Sequence, residues 1–161
     1  MADNYDVIIV GGGAAGLMCA IEAGRRGRRV LILEHANKAG KKILISGGGR
    51  CNFTNLRAEP AVYISQNPRF AISALSRYTS ADLIALVEQH GIAYHEKTLG
   101  QLFCNSSAER ILEMLLQECS ESAVEIRTAC TMTGVKRAND GFNVSTPLGS
   151  VSAESLVVAT G

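Results

Sequence analysis

The apolar run Tyr5 to Val10 enters GGGAAG with no linker, and an amphipathic stretch then leads to VLILE. Few folds accommodate that order. A β-branched apolar run suits a parallel strand buried on both faces, and glycines set at its end predict a tight turn into a helix. Gly11 can make the turn out of the strand. Gly13, with no Cβ, lets a pyrophosphate come close to the backbone, and Gly16 lets the helix lie against the strand. The helix, expected from Ala14 to Arg26, aims its unpaired N–H groups and the positive end of its dipole at the same place. Glu34 falls at the end of the second strand, roughly 20 residues beyond the glycines, where a carboxylate accepts hydrogen bonds from ribose hydroxyls. A glycine cluster alone also makes ordinary turns. The ordered sequence of strand, glycines, helix, strand and acid is what predicts a dinucleotide-binding βαβ unit holding an ADP moiety, and an acid at position 34 disfavours a 2′-phosphate there.

With 161 residues, 47% hydrophobic and 19% charged, the chain suits one α/β domain with a real core. The formal net charge of +1 gives no reason to expect nucleic acid or an anionic membrane as partner. No apolar stretch is long enough to span a bilayer. Met1-Ala2-Asp3-Asn4 carries an acid where a secretory signal is basic, so a cytoplasmic location is expected. Cys19, Cys51, Cys104, Cys119 and Cys130 are odd in number and contain no CxxC pair, which suits free thiols in a reducing compartment. His35, His90 and His95 show no metal-ligand spacing, and no metal is expected. His95 and Glu96 are neighbours that face opposite ways in an extended segment, which argues against an acid/base pair.

Further along, Gly40-Lys41-Lys42 and Ile43-Leu44-Ile45 lead into Ser46-Gly47-Gly48-Gly49-Arg50-Cys51-Asn52. Successive glycines permit left-handed conformations that turn several N–H groups to one point, an anion or ligand cradle with Arg50 beside it. A flexible surface loop is the alternative. Residues 56–104 read as a helical insertion. Asn67 and Pro68 are expected as N-cap and first helical residue, with Phe70, Leu75 and Tyr78 on an apolar face and the aromatic side chains in the core. A second helix is capped by Thr79 or Ser80 and stops at Gly91. Ser106 and Glu109 fit a capping box that starts another helix. A strand from Val124 to Thr128 follows. Turn residues at Asn139-Asp140-Gly141 and Pro147-Leu148-Gly149 then mark an antiparallel meander over about 130–153. Leu156 to Ala159 returns to a buried-strand pattern, and ligands bind at such strand ends in open α/β sheets.

The strings GGGAAGL, GKKILISGGGRCNFTN, NPRF and VVATG together resemble the N-terminal part of the BaiN/YhiN-like flavoproteins, a family of NAD(P)/FAD-dependent oxidoreductases. The likeness covers essentially the whole chain, and its SGGGRCN loop is far more specific than the first glycine motif. It implies a three-layer Rossmann-like FAD-binding fold, mostly parallel with a β-meander. Because family members are about twice as long or more, it also implies that this is an N-terminal portion lacking its C-terminal half. The resemblance, not the spacing, selects FAD. By this likeness Gly11, Gly13, Ala14, Ala15 and Gly16 hold the FAD pyrophosphate and Glu34 the adenosine ribose. Lys42 and the loop containing Ser46, Gly48, Gly49, Arg50, Cys51 and Asn52 lie along the cofactor toward the flavin. The backbone of Met132, in the strand opening the meander, meets the adenine, while Thr160 and Gly161 begin a second phosphate-side motif. Cys104 stands where a proline is common, which puts the local loop shape in question.

The expectation is therefore a flavoenzyme passing hydride through FAD to or from a small-molecule substrate, with NAD(P)H as a candidate donor and an activated C=C bond as a candidate target. An NAD(P)-binding Rossmann domain without flavin and a non-catalytic nucleotide-binding module remain alternatives. No residue is assigned as general acid or base, since the remaining acids are expected on solvated helix surfaces. Cys51, with no partner cysteine nearby in sequence, is read as a packing residue rather than a redox-active thiol.

Overall fold

The computed structural model describes residues 4–138 and 140–161. Asp3, and Asn139 of the first meander turn, lie outside the described residues. The chain divides into two compact units, Met1–Lys42 with Leu115–Gly161, and Ile43–Met114.

In the first unit the opening run forms β1 (Asn4–Val10), and α1 (Ala14–Arg25) returns the chain to β2 (Val30–Leu33). The two strands are parallel, with Ile8 opposite Leu31 and Val10 opposite Leu33. Ile8 and Ile9 are both fully buried although they point to opposite faces, which is why this run carries no polar alternation. On one face Tyr5, Ile8, Leu31 and Leu33 pack with Cys130, Val144, Val151 and Ala153. The other face receives α1, whose Leu17, Ala20 and Ile21 are buried. Each large side chain of this kind contributes about 1.5–3 kcal/mol by leaving water.

Later strands complete the sheet. Downstream, α5 (Glu109–Glu121) precedes β6 (Glu125–Arg127), which lies parallel to β2. The meander is β7 (Gly134–Ala138), β8 (Gly141–Thr146) and β9 (Gly149–Val158), and the sheet order is β6-β2-β1-β9-β8-β7. Meander and parallel sheet are one structure because β9 belongs to both. Its first half pairs antiparallel with β8, Val151 opposite Val144, while Leu156 to Val158 run parallel beside Ile8 to Val10. The buried-strand expectation for Leu156 to Ala159 is not met: Leu156, Val157 and Ala159 are half-buried and Val158 is 69% exposed. The fold is Rossmann-like α/β, a mostly parallel sheet extended by antiparallel strands.

Two corrections concern this unit. Met132 is not in a strand, for β7 begins at Gly134; its side chain packs at the margin of the core instead. Glu118 is not on a solvated surface. It is buried on α5 and accepts from the Arg25 guanidinium at the end of α1.

The second unit departs further from expectation. It contains an antiparallel sheet of β3 (Asn52–Asn55), β4 (Tyr94–Glu96) and β5 (Gln101–Cys104) in the order β3-β5-β4, not helices alone. Strands of three and four residues are too short to register as alternation. A five-residue helix, α2 (Lys41–Ile45), leads toward it, and α3 (Ile72–Arg77) and α4 (Ser80–Gln89) lie between β3 and β4. Asn67 does not cap a helix: its side-chain oxygen accepts from the Arg69 N–H in a local turn, and α3 starts at Ile72. Phe70 is 80% exposed rather than packed. The Thr79 cap is present, in a reciprocal box with Asp82, and Gly91 follows the helix with φ of 63°. Ser106 is displaced as cap by Ser107, whose hydroxyl accepts from the Glu109 N–H at 3.1 Å.

Candidate functional site

The end of β1 and the start of α1 form a tight crook, and two glycines in it have no room for a side chain. A Cβ at Gly16 would stand 1.9 Å from the Gly11 carbonyl oxygen, so helix and strand approach as closely as main chain allows. At Gly11, φ is 109° and a Cβ would stand 2.4 Å from the Ala159 carbonyl oxygen. The end of β9 thus presses on the crook, consistent with the Ala159 N–H donating to the Val10 carbonyl.

Gly13 differs. As N-cap of α1 it has ordinary extended backbone, and a Cβ there would meet nothing within 4 Å. No side chain caps the terminus, and no acid sits in the first turn. Ala14 and Ala15 are exposed. The terminus is therefore open for an anion, with N–H groups and dipole directed outward.

Glu34 closes the crook. Its carboxylate is 7% exposed; one oxygen accepts from the Gly12 N–H at 2.7 Å, and the other from the Ala36 N–H at 2.8 Å with His35 Nδ1 at 3.0 Å. A carboxylate offers about four acceptor sites, so the oxygen that faces Gly12 keeps capacity for a further hydroxyl donor. Sequence alone does not single out Gly12, yet its N–H positions Glu34 and its carbonyl accepts from the Gly40 N–H at 2.8 Å. The triple glycine at 11–13 is the available signal. Lys42 and Gly161 also come together, the lysine Nζ lying 3.2 Å from where a Gly161 Cβ would stand, and Thr160 adjoins the space beside Gly11. The structure thus gathers Gly11, Gly13, Gly16, Glu34, Lys42, Thr160 and Gly161 within one unit. This donor set suits a dinucleotide: an open helix terminus for phosphate and a carboxylate for ribose. Met132 is half-buried just before β7 and packs against the core cluster of Tyr5, Ile8, Leu31 and Leu33.

In the other unit, Ser46 to Gly49 form a 3-10 turn in which Gly47, Gly48 and Gly49 have φ of 56°, 66° and 83°, the left-handed backbone expected of them. A Cβ at Gly47 would meet the Phe103 ring and the Asn52 nitrogen at 2.8 Å, whereas Gly48 and Gly49 face open space. The loop is anchored by the Ser46 hydroxyl on the Ile43 carbonyl, by the Cys104 N–H on the Arg50 carbonyl and by the Ala108 N–H on the Gly49 carbonyl. Arg50 and Asn52 are exposed. Cys51 is buried with φ of 51°, and burial pushes its thiol up against the opposing effect of a Ser46 hydrogen bond. Burial, together with the nearby Cys51, pushes the Cys104 thiol up to about 11. Cys51 therefore has a cysteine neighbour in space that its sequence surroundings conceal. Both thiols stay protonated at neutral pH, unlike the depressed thiolates of redox-active sites. Among the described residues no helix is long and apolar enough to cross a membrane, and no cluster of three or more His, Cys, Asp or Glu could hold a metal ion.

A glycine crook between strand and helix, answered by a carboxylate at the next strand end, defines a Rossmann nucleotide-binding domain. Residues 5–161 match the HI0933-like protein Rossmann domain, and the chain belongs to that family. It is 52% identical to a "Ribosomal RNA dihydrouridine synthase" of Escherichia coli over 99% of this chain and 40% of the relative. To a "3-dehydro-bile acid delta(4,6)-reductase" of Clostridium scindens it is 31% identical over 95% of this chain and 38% of that relative. The chain thus spans about two fifths of the length of these curated relatives. Among solved structures, glycine oxidase from Geobacillus kaustophilus shares the fold, with a TM-score of 0.69 at 18% identity over 99% of this chain and 56% of that one.

Proposed function

We propose that this chain is the FAD-binding part of a cytoplasmic flavin-dependent reductase whose substrate is a uridine of ribosomal RNA. The observation that carries the cofactor half is the uncapped terminus of α1 at Gly13, open where a Cβ would stand and bordered by Glu34 with one acceptor site to spare. In this reading Gly11, Gly13, Ala14, Ala15 and Gly16 bind the pyrophosphate and Glu34 orients the ribose. Met132 lends its backbone to the adenine, and Lys42, Thr160, Gly161 and the loop from Ser46 to Asn52 line the remaining length. Bound FAD would supply the hydride-carrying ring, replenished by NAD(P)H. The protein orients the cofactor and excludes water.

The substrate half is supported by the 52% identity over 99% of this chain to a ribosomal RNA dihydrouridine synthase. Uracil C5=C6 is conjugated to a carbonyl, so it belongs to the activated C=C bonds that the sequence resemblance implied. An RNA substrate replaces the expectation of no nucleic-acid partner. That expectation came from a net charge of +1, which averages over an uneven distribution. The proton donor and the base pocket are assigned to no residue of this chain.

The full-length protein should purify yellow and release FAD on denaturation. Ribosomal RNA from cells lacking the gene should lose dihydrouridine by mass spectrometry and regain it on complementation. A colourless, folded preparation that binds NADH would instead support the flavin-free NAD(P) reading. Unaltered dihydrouridine in the deletion would remove the RNA substrate.

A further inference from the structure

Charge in the unit Ile43–Met114 is segregated along the chain. Up to Thr79 there are Arg50, Arg57, Arg69 and Arg77 against Glu59; beyond it come Lys97 and Arg110 against Asp82, Glu88, Glu96, Glu109 and Glu113. The two parts cancel, which hides the asymmetry from any whole-chain sum. The later acids are engaged locally: Asp82 caps α4, Glu88 accepts from the Tyr94 hydroxyl, Glu96 from the Gly100 N–H and Glu113 from Arg110. The arginines are exposed, and no carboxylate among the described residues pairs with Arg57, Arg69 or Arg77.

The same segment displays its large apolar side chains. Tyr63 is 48%, Phe70 80% and Ile64 102% exposed. Cationic side chains interleaved with exposed rings form the surface that single-stranded nucleic acid selects, since arginines meet phosphates and rings stack on bases. Beside it a pocket of about 290 Å³ is lined by Asn55, Arg57, Ala58, Val62, Tyr63 and Leu99. Its walls combine a ring, a guanidinium and a carboxamide, the groups that hold a base by face and by edge.

We propose that residues 55–78 are a docking surface for single-stranded RNA, with Arg57, Arg69 and Arg77 on phosphates, Tyr63 and Phe70 stacking on bases, and one base in the pocket at Asn55. The proposal rests on the RNA reading above and supplies the binding surface that reading needs.

The test uses the full-length protein and a fluorescein-labelled single-stranded oligouridylate, with anisotropy measured over a range of KCl. Replacing Arg57, Arg69 and Arg77 together by Gln should make the slope of log affinity against log salt shallower by about 2, because each arginine on a phosphate of a single strand accounts for about 0.7 of that slope. Tyr63→Ala and Phe70→Ala should each weaken binding about 5- to 100-fold with the slope unchanged. FAD content and melting temperature should stay at the wild-type values in all three. A triple variant with wild-type slope and affinity would overturn the proposal, as would resistance of Arg57, Arg69 and Arg77 to phenylglyoxal in RNA-free protein, which would mean that the rest of the chain covers them. If the wild type binds the probe and restores dihydrouridine but the variants are unaffected, this surface alone is wrong. If the wild type binds no RNA and restores nothing, the substrate reading falls with it.

Discussion

Gly13 and Gly16 are three residues apart in one motif, yet their replacement by alanine should have opposite consequences. At Gly13 the backbone, φ of −80° and ψ of −176°, is one that alanine adopts freely, and the added methyl meets no protein atom within 4 Å. Restricting the unfolded chain stabilises by about 0.4–1 kcal/mol, while alanine is a poorer N-cap than glycine by about the same amount. The two offset, so the stability of Gly13→Ala should lie within about 1 kcal/mol of wild type. The methyl nevertheless enters the space a pyrophosphate would use, and overpacking of about 1–3 kcal/mol corresponds to about 5- to 150-fold weaker FAD binding. At Gly16 the methyl would stand 1.9 Å from the Gly11 carbonyl oxygen, so α1 must move off β1 by about 1 Å, costing about 3 kcal/mol or more. That is a large part of a typical domain's stability. Urea unfolding of the full-length apoprotein, paired with titration of FAD fluorescence, separates the two. Unfolding of Gly13→Ala as readily as Gly16→Ala, or wild-type FAD affinity in Gly13→Ala, would refute the placement of the pyrophosphate at this terminus.

Glu34→Gln leaves one acceptor oxygen for two backbone N–H donors, so it should cost about 1–3 kcal/mol in urea unfolding and weaken FAD retention. Cys104 and Cys119 both have thiols pushed up to about 11, mainly by burial, so native protein at pH 8 should alkylate there about 100-fold more slowly than a free thiol, in a mass-spectrometric time course. Because the folded values lie above that of the unfolded thiol, these groups support the fold most fully below pH 9.0, and melting temperature should fall as pH rises from there through about 11. Thr79→Ala removes the α4 cap and should destabilise by about 1 kcal/mol, readable as early loss of amide protection over residues 80–83.

The crook and Glu34 are legible in the sequence because each depends on chain neighbours: the apolar run Val7 to Val10, glycines at fixed offsets and an acid at the next strand end. The closeness of Gly16 to the Gly11 carbonyl shows why the offset matters. What the sequence conceals depends on distant partners or on short elements. The sheet of β3, β4 and β5 rests on strands of three or four residues, and the proximity of Cys51 to Cys104 is made by folding. Phe70 reads as a core residue because aromatic side chains usually go there, but α3 starts only after it. Ser106 and Ser107 are chemically equivalent caps, and only the chain path selects the second. Met132 lies just upstream of a strand whose first residue is a glycine, where propensity marks no boundary.

Strand β9 enters as the last member of a hairpin and leaves as the neighbour of β1, with the carbonyl that follows it set against Gly11. Slippage at one end is therefore transmitted to the other: moving the hairpin along by two residues, the smallest shift that keeps Val151 and Ala153 facing inward, would carry Ala159 about 6.6 Å past Gly11. Length changes in the turn after Thr146 leave that alignment intact, whereas an inserted residue within β9 would displace the phosphate cradle from a distance.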